Sequence, residues 1–148
     1  MKVRDILELK GDQVLTLGTE ASILKASLLM RSNYVGAIVV THDDGTIAGI
    51  LSERDIAVSL PAYGPALGDT PVTAIMSHRV ISCSDDMGLS EVLDIMVSNG
   101  IRHLPVVDGE QLKGLISLRD VVGNSLGAFQ PDPAPERPPE SGLKSAAG

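Results

Sequence analysis

Ile23, Ala26, Ser27 and Met30 recur at i, i+3, i+4 and i+7, the spacing that brings residues onto one face of a helix. Leu89, Val92, Leu93 and Met96 repeat that spacing 66 residues further on. Each helical stretch is followed by two β-rich runs around an acidic-glycine turn: GAIVVTHDDGTIAG at 36–49 and RHLPVVDGEQLKG at 102–114. Apolar runs flanking Asp-Gly are the pattern of a hairpin. A second helix is expected to open near Asp55 and near Asp120. Upstream, QVLTL at 13–17 matches RVISC at 79–83, so a strand is expected before each first helix. The order per copy is β-α-β-β-α, and it occurs twice.

The duplication is also literal. GILSERD at 49–55 returns as GLISLRD at 114–120, while Met30 falls on Met96, Ser32 on Ser98, Asn33 on Asn99 and Val40 on Val106, one residue being lost in the second turn. VRDIL at 3–7 resembles VTAIM at 72–76 in its apolar spacing. A copy of ~60 residues buries too little surface to stand alone comfortably. The expected fold is therefore α/β (α+β), with two β-α-β-β-α repeats packed sheet to sheet about a pseudo-twofold axis. Shallow clefts should lie at the seam, each heptad facing the other copy's hairpin. The expected organisation is a first repeat at 1–60, a linker at 61–71 rich in proline and glycine, a second repeat at 72–126 and a disordered proline-rich tail at 127–148.

Charge and cysteine content narrow the partners. The formal net charge is -7 and no basic tract interleaves with aromatics, which argues against nucleic acid. Cys83 is the single cysteine, so an intrachain disulfide is excluded and a reducing compartment, the cytoplasm by default, is expected. The apolar runs are far shorter than the ~18 residues of a spanning helix, and MKVRDILELK lacks the apolar centre of a signal peptide. No membrane partner is expected.

The heptads carry the candidate chemistry. Ser52 with Asp55, and Ser117 with Asp120, form the S-x-x-D string of a capping box, in which the hydroxyl and the carboxylate satisfy free amides at a helix start. Capping leaves Gly49 and Gly114 unexplained, since glycine permits close approach to the strand. It also leaves Arg54 and Arg119, which are either solvated helix-start residues or phosphate contacts. The competing reading is half of a nucleotide pocket: a carboxylate accepts two hydrogen bonds from a ribose diol, and a hydroxyl beside free helix amides favours phosphate. YVGAIVV and GIRHLPVV would supply aliphatic walls for a base.

GILSERDI, GLISLRDV and IRHLPVVDGEQLKGLIS, with the heptad occurring twice and in each case after its strand and turn, resemble the G-h-x-[ST]-x-x-D signature and preceding strand of tandem cystathionine-β-synthase (CBS) domains, across roughly 3–126. The resemblance implies a regulatory module that takes AMP, ADP, ATP, NAD or S-adenosylmethionine in clefts between the copies, with no obligatory cofactor, commonly in a homodimer. It assigns Asp55 and Asp120 to ribose hydroxyls, Ser52 and Ser117 to the phosphate side, and Ile50 and Leu115 to the base. Asp120 should face Val35, Gly36 and Ala37, and Asp55 should face Ile101, Arg102 and His103, whose positive charge would favour extra phosphates on the Asp55 side. Serine stands where many members have threonine.

Cys83 with His103 suggests a thiol nucleophile and base only superficially, because no orienting group or oxyanion device accompanies them; an inert cysteine on a strand is the expectation, and no enzyme is inferred. His42, Asp43 and Asp44 are better explained by their turn than by a metal. Two functions follow: an energy- or redox-state sensor acting through nucleotide occupancy, or a dimerisation scaffold in which the heptads serve only as caps. No effector domain is recognisable in the chain, and the partner that would respond is not indicated.

Overall fold

The structure, a computed structural model, describes residues 1–11 and 13–125; the proline-rich segment expected to be a tail lies outside them. The elements run α1 (Val3–Lys10), β1 (Thr16–Gly18), α2 (Ile23–Asn33), β2 (Ala37–Thr41), β3 (Ile47–Ser52), α3 (Glu53–Tyr63), two 3₁₀ helices (Gly64–Asp69 and Val72–Ala74), α4 (Leu89–Asn99), β4 (His103–Asp108), β5 (Gln111–Ser117) and α5 (Leu118–Ser125). Both hairpins form as the turn signals require, with Val39 opposite Ile50 in β2–β3 and Pro105 opposite Leu115 in β4–β5. Each also carries a register shift at the same place, after Val40 and after Val106, so the copies share even their irregularity.

The strand before each first helix is unequal. β1 pairs in parallel with β2 through Leu17 and Val40, whereas its counterpart is reduced to a single bridge between Cys83 and Val106. Ser22 caps α2 by accepting the Lys25 N–H, and Gly88 stands at the same place before α4, where Glu91 Oε2 accepts the Gly88 N–H instead. On α2 and α4 the buried positions are Ile23, Ala26, Met30 and Leu89, Val92, Met96, three of the four expected in each.

The N-terminal segments are exchanged between repeats. Val3 and Ile6 are buried with Leu89, Val92, Met96, Leu104 and Ile116, in the core of the second copy. Val72 and Met76 complete the first copy's core with Ile23, Met30, Ile38 and Leu51. Backbone pairing follows the same swap, Lys2 bridging to Gly88 and Pro71 to Ser22. The boundaries expected at 1–60 and 72–126 divide the sequence, but each packed unit borrows its first segment from the other half.

The stretch 61–71 is not the irregular linker expected. α3 continues through Pro61 to Tyr63, and 64–69 form a 3₁₀ helix in which Pro65 occupies the first turn, where a missing N–H costs nothing. Leu67 then inserts into the first core. Proline and glycine here serve tight helical turns.

β2 is covered on both faces: Ile38 and Val40 enter the first core, while Ala37 and Val39 are equally buried on the opposite side. The repeats meet where β2 and β4 begin, since a Cβ on Gly36 would lie 3.5 Å from His103 Cε1 of the other copy. The two hairpins therefore approach each other at the strands that open them, 36–37 and 102–103 lining the same cavities.

Candidate functional site

Both heptads turn from strand into helix through a complete capping box. Ser52 Oγ accepts the Asp55 N–H at 3.2 Å and Asp55 Oδ2 accepts the Ser52 N–H at 2.8 Å. Ser117 and Asp120 repeat the pair at 3.1 and 2.8 Å. Capping uses one carboxylate oxygen, so Oδ1 of each aspartate keeps its acceptor capacity. Capping and a second role are therefore compatible.

The glycines serve the segment exchange. A Cβ on Gly49 would stand 2.6 Å from Met76 Sδ and 2.7 Å from the Ser77 carbonyl oxygen, and one on Gly114 would stand 2.7 Å from Leu7 Cδ2. Ser77 is anchored, because Ile50 donates to its oxygen at 3.1 Å and its own N–H donates back at 2.9 Å. Gly49→Ala is thus expected to cost about 1–3 kcal/mol through overpacking, and Gly114→Ala less, since Leu7 can rotate. Urea unfolding checks the order; equal losses would show that Ser77 yields as easily as a side chain.

Two cavities open where one copy's heptad faces the other copy's hairpin. The larger, about 800 Å³, is lined by Ile50, Ser52, Arg54 and Asp55 from the first repeat and by Ile101, Arg102 and His103 from the second. The other, about 610 Å³, joins Leu115, Ser117, Arg119 and Asp120 to Val35, Gly36 and Ala37. The pairing of elements is the one that the resemblance implies. One expectation is corrected: Arg102 and His103 do not belong to the Asp55 side alone, because they, with Gly36 and Ala37, line both cavities. The clefts share a central wall, where β2 and β4 begin side by side.

Further wall residues fall outside the repeated heptad positions: Glu53 sits within the first heptad but has no counterpart in its repeated motif, and Lys10 and Tyr34 lie outside both heptads. Glu53 lies in both cavities, and Lys10 and Tyr34 line the Asp120 cavity. Tyr34 has φ 54, a left-handed conformation taken by Gly100 at the matching end of α4. Lys10 comes from the exchanged segment, and only the swap reveals that it reaches Asp120.

Charge is unevenly distributed. Lys10 Nζ pairs with Asp120 Oδ2 at 2.7 Å. Burial pushes the Asp120 carboxyl up, but the Lys10 hydrogen bond and the Ser117 amide outweigh it and hold the group below its ordinary range. Among the described residues, Arg54, Arg102 and Arg119 form no ion pair. Burial lowers the His103 pKa from its ordinary value, against the attraction of Glu53 and Asp120. Burial thus favours the neutral imidazole of His103.

Cys83 stands apart from this wall. It is buried in the second core and burial pushes its thiol up to about 11, so a thiolate beside His103 is not formed. At the first hairpin, Asp44 Oδ1 accepts both the N–H and the hydroxyl of Thr46. That bond closes the turn. Among the described residues no group of three or more metal-ligating side chains is found, and no helix is long and apolar enough to cross a membrane.

The architecture defines a two-repeat module with ligand-sized cavities at its seam. The CBS domain model matches 3–62 and 72–127, and the chain belongs to the CBS domain family. It is 37% identical over 114 residues to the CBS domain-containing protein YhcV of Bacillus subtilis, covering 77% of this chain and 80% of that protein. Among solved structures, the CBS-domain containing protein ATU1752 from Agrobacterium tumefaciens superposes with TM-score 0.82 at 34% identity, over 84% of this chain and 99% of that one. The CBS domain pair of protein MJ0100, in complex with 5′-methylthioadenosine and S-adenosyl-L-methionine, shares the fold with TM-score 0.76 at 24% identity, over 87% and 98% of the two chains.

Proposed function

We propose that the protein is a regulatory module whose two inter-repeat clefts take adenosyl ligands, among AMP, ADP, ATP, NAD and S-adenosylmethionine. The observation that carries this is the pairing, in both cavities, of a capping-box aspartate from one repeat with the opening strand of the other. Both volumes lie within the range of small-molecule sites. The adenosyl compounds held by the MJ0100 pair support the ligand class. In this reading Oδ1 of Asp55 and of Asp120 accepts from the ribose diol, Ile50 and Leu115 flank the base, and Ser52 and Ser117 lie on the phosphate side with Arg54 and Arg119. Occupancy bridges the repeats and biases their relative angle, the quantity a partner reads.

Ligand held only by the folded pair adds RT ln(1 + [L]/Kd), about 2.7 kcal/mol at a hundredfold excess over Kd. A thermal-shift panel of adenosyl compounds tests the proposal: at least one is expected to raise the melting midpoint. No shift at millimolar concentration would leave the dimerisation scaffold as the better account.

The His103 environment sets a pH dependence. Its folded pKa lies below the ordinary ~6.5, so apo stability is level above that value and declines below it, as the unfolded chain takes the proton first. A phosphate near the ring favours the imidazolium, so binding takes up a proton. Affinity for nucleoside polyphosphates is expected to rise as pH falls from about 7 to about 5.5. The window lies lower than an unperturbed histidine implies. Calorimetric titration across that range checks it; affinity that falls towards pH 5.5 would exclude His103 from the phosphate side.

A homodimer in the cytoplasm belongs to the same proposal. Leu24 and Leu28 on α2, and Val58 and Leu60 on α3, are exposed apolar side chains that a second copy would cover. Light scattering is expected to give twice the chain mass at micromolar concentration; the monomer mass with and without nucleotide would contradict it.

A further inference from the structure

The clefts differ in what the chain itself sets on each aspartate. In the Asp120 cleft, Lys10 Nζ donates to Asp120 Oδ2 at 2.7 Å and to the Leu115 carbonyl at 3.0 Å. One ammonium thus lies beside both residues that the proposed function gives to ribose and base, on the carboxylate oxygen that the diol does not use. Asp55 has no such partner among the described residues, since its Oδ2 takes only the Ser52 N–H. The Ile50 edge is instead closed by the backbone of Ser77.

The asymmetry arises from how the exchanged segments end. α1 stays helical to Lys10, which follows Leu7 by three residues and so shares the face packed over Gly114. The corresponding segment leaves its 3₁₀ helix after Ala74 and lies along Ile50 as backbone. No cation from it reaches Asp55.

We propose that Lys10 is a specificity-determining residue of the Asp120 cleft, biasing it against neutral nucleosides and towards nucleoside phosphates. The proposal rests on the adenosyl reading of the clefts. A ribose diol at Asp120 Oδ1 meets a carboxylate whose charge the ammonium on Oδ2 already offsets, so it gains less than at Asp55. A neutral nucleoside offers the ammonium no charged partner in return. A phosphate supplies it with a charge-assisted partner, in a cavity where Arg102 and Arg119 are also without ion pairs among the described residues. Glu53, on the same wall, opposes the phosphate and increases the need for Lys10.

The test is calorimetric titration of adenosine and AMP into the full chain carrying Asp55→Asn, which weakens the other cleft, with Lys10 kept or changed to Met or Arg. Met keeps the apolar stem and removes the charge. With Lys10 present, AMP is expected to bind at least about tenfold more tightly than adenosine. Lys10→Met should tighten adenosine and weaken AMP, bringing the two within about threefold, while Lys10→Arg restores the preference. An AMP-to-adenosine ratio unchanged by Lys10→Met would overturn the proposal, as would Lys10→Met leaving adenosine unbound where the Asp55→Asn protein binds neither. If the unmodified chain binds no adenosyl compound at millimolar concentration, the adenosyl reading itself fails, a result distinguishable from either.

Discussion

Ile6→Ala is expected to destabilise the protein by about 2–5 kcal/mol, although the residue lies far upstream of the repeat it stabilises. Ile6 is 2% exposed and packs in the core built from α4, β4, β5 and α5. Truncation leaves a cavity lined by groups held from several elements, so collapse is restricted and the transfer loss is compounded by lost contacts. A second-repeat core probe such as the Cys83 thiol, which is buried, should become reactive at lower denaturant concentration in the variant. Urea unfolding followed by thiol modification measures both. A loss below about 1 kcal/mol, with unchanged thiol protection, would mean that α1 is not integral to the second core.

Asp55→Asn and Asp120→Asn are expected to cut adenosyl affinity at one cleft each by about tenfold or more, with apo stability nearly unchanged. The asparagine carbonyl can take over the cap by accepting the Ser52 or Ser117 N–H, as Oδ2 does at 2.8 Å in both repeats. The amide NH₂ then stands where Oδ1 was, and a diol meets a neutral donor in place of a charged acceptor. A hydrogen bond to a charged group is worth about 1.5–3 kcal/mol, and 1.4 kcal/mol is a factor of ten. Alanine removes the cap as well, adding about 1 kcal/mol of destabilisation. At Asp120 the change also leaves Lys10 without its ion-pair partner, so that variant should lose slightly more apo stability than its counterpart. Calorimetric titration beside apo melting curves separates the roles. Asparagine variants that bind as tightly as the parent would reduce the aspartates to caps.

The duplicated architecture was legible because its signals are local. The i, i+3, i+7 apolar positions of α2 and α4, the Asp-Gly turns and the S-x-x-D caps each act within a few residues. They led to both hairpins and both helix starts, while the residue-by-residue pairing of each heptad with the opposite strand came from the family resemblance. The segment exchange was not legible: VRDIL and VTAIM have the same apolar spacing, and no pattern within either states which copy it covers. Gly49 and Gly114 signalled that something approaches the strand, but not that Met76, Ser77 and Leu7 are what approach. Lys10 was missed for the same reason, since its partner Asp120 is 110 residues away. The prolines of 61–71 misled because proline is compatible with a 3₁₀ turn as well as with an irregular chain. Assigning Arg102 and His103 to one cleft failed because two cavities that meet at a seam share their central wall.

The most direct measurement of the central claim is a backbone amide NMR titration of the chain with AMP, with S-adenosylmethionine and with NAD. The account predicts saturable shifts at 35–37, 50–55, 101–103 and 115–120, the segments that line the two cavities from opposite repeats, with at least one of the three ligands. The absence of shifts at millimolar ligand, or shifts confined to the hairpin turns and the outer faces of α2 and α4, would contradict it.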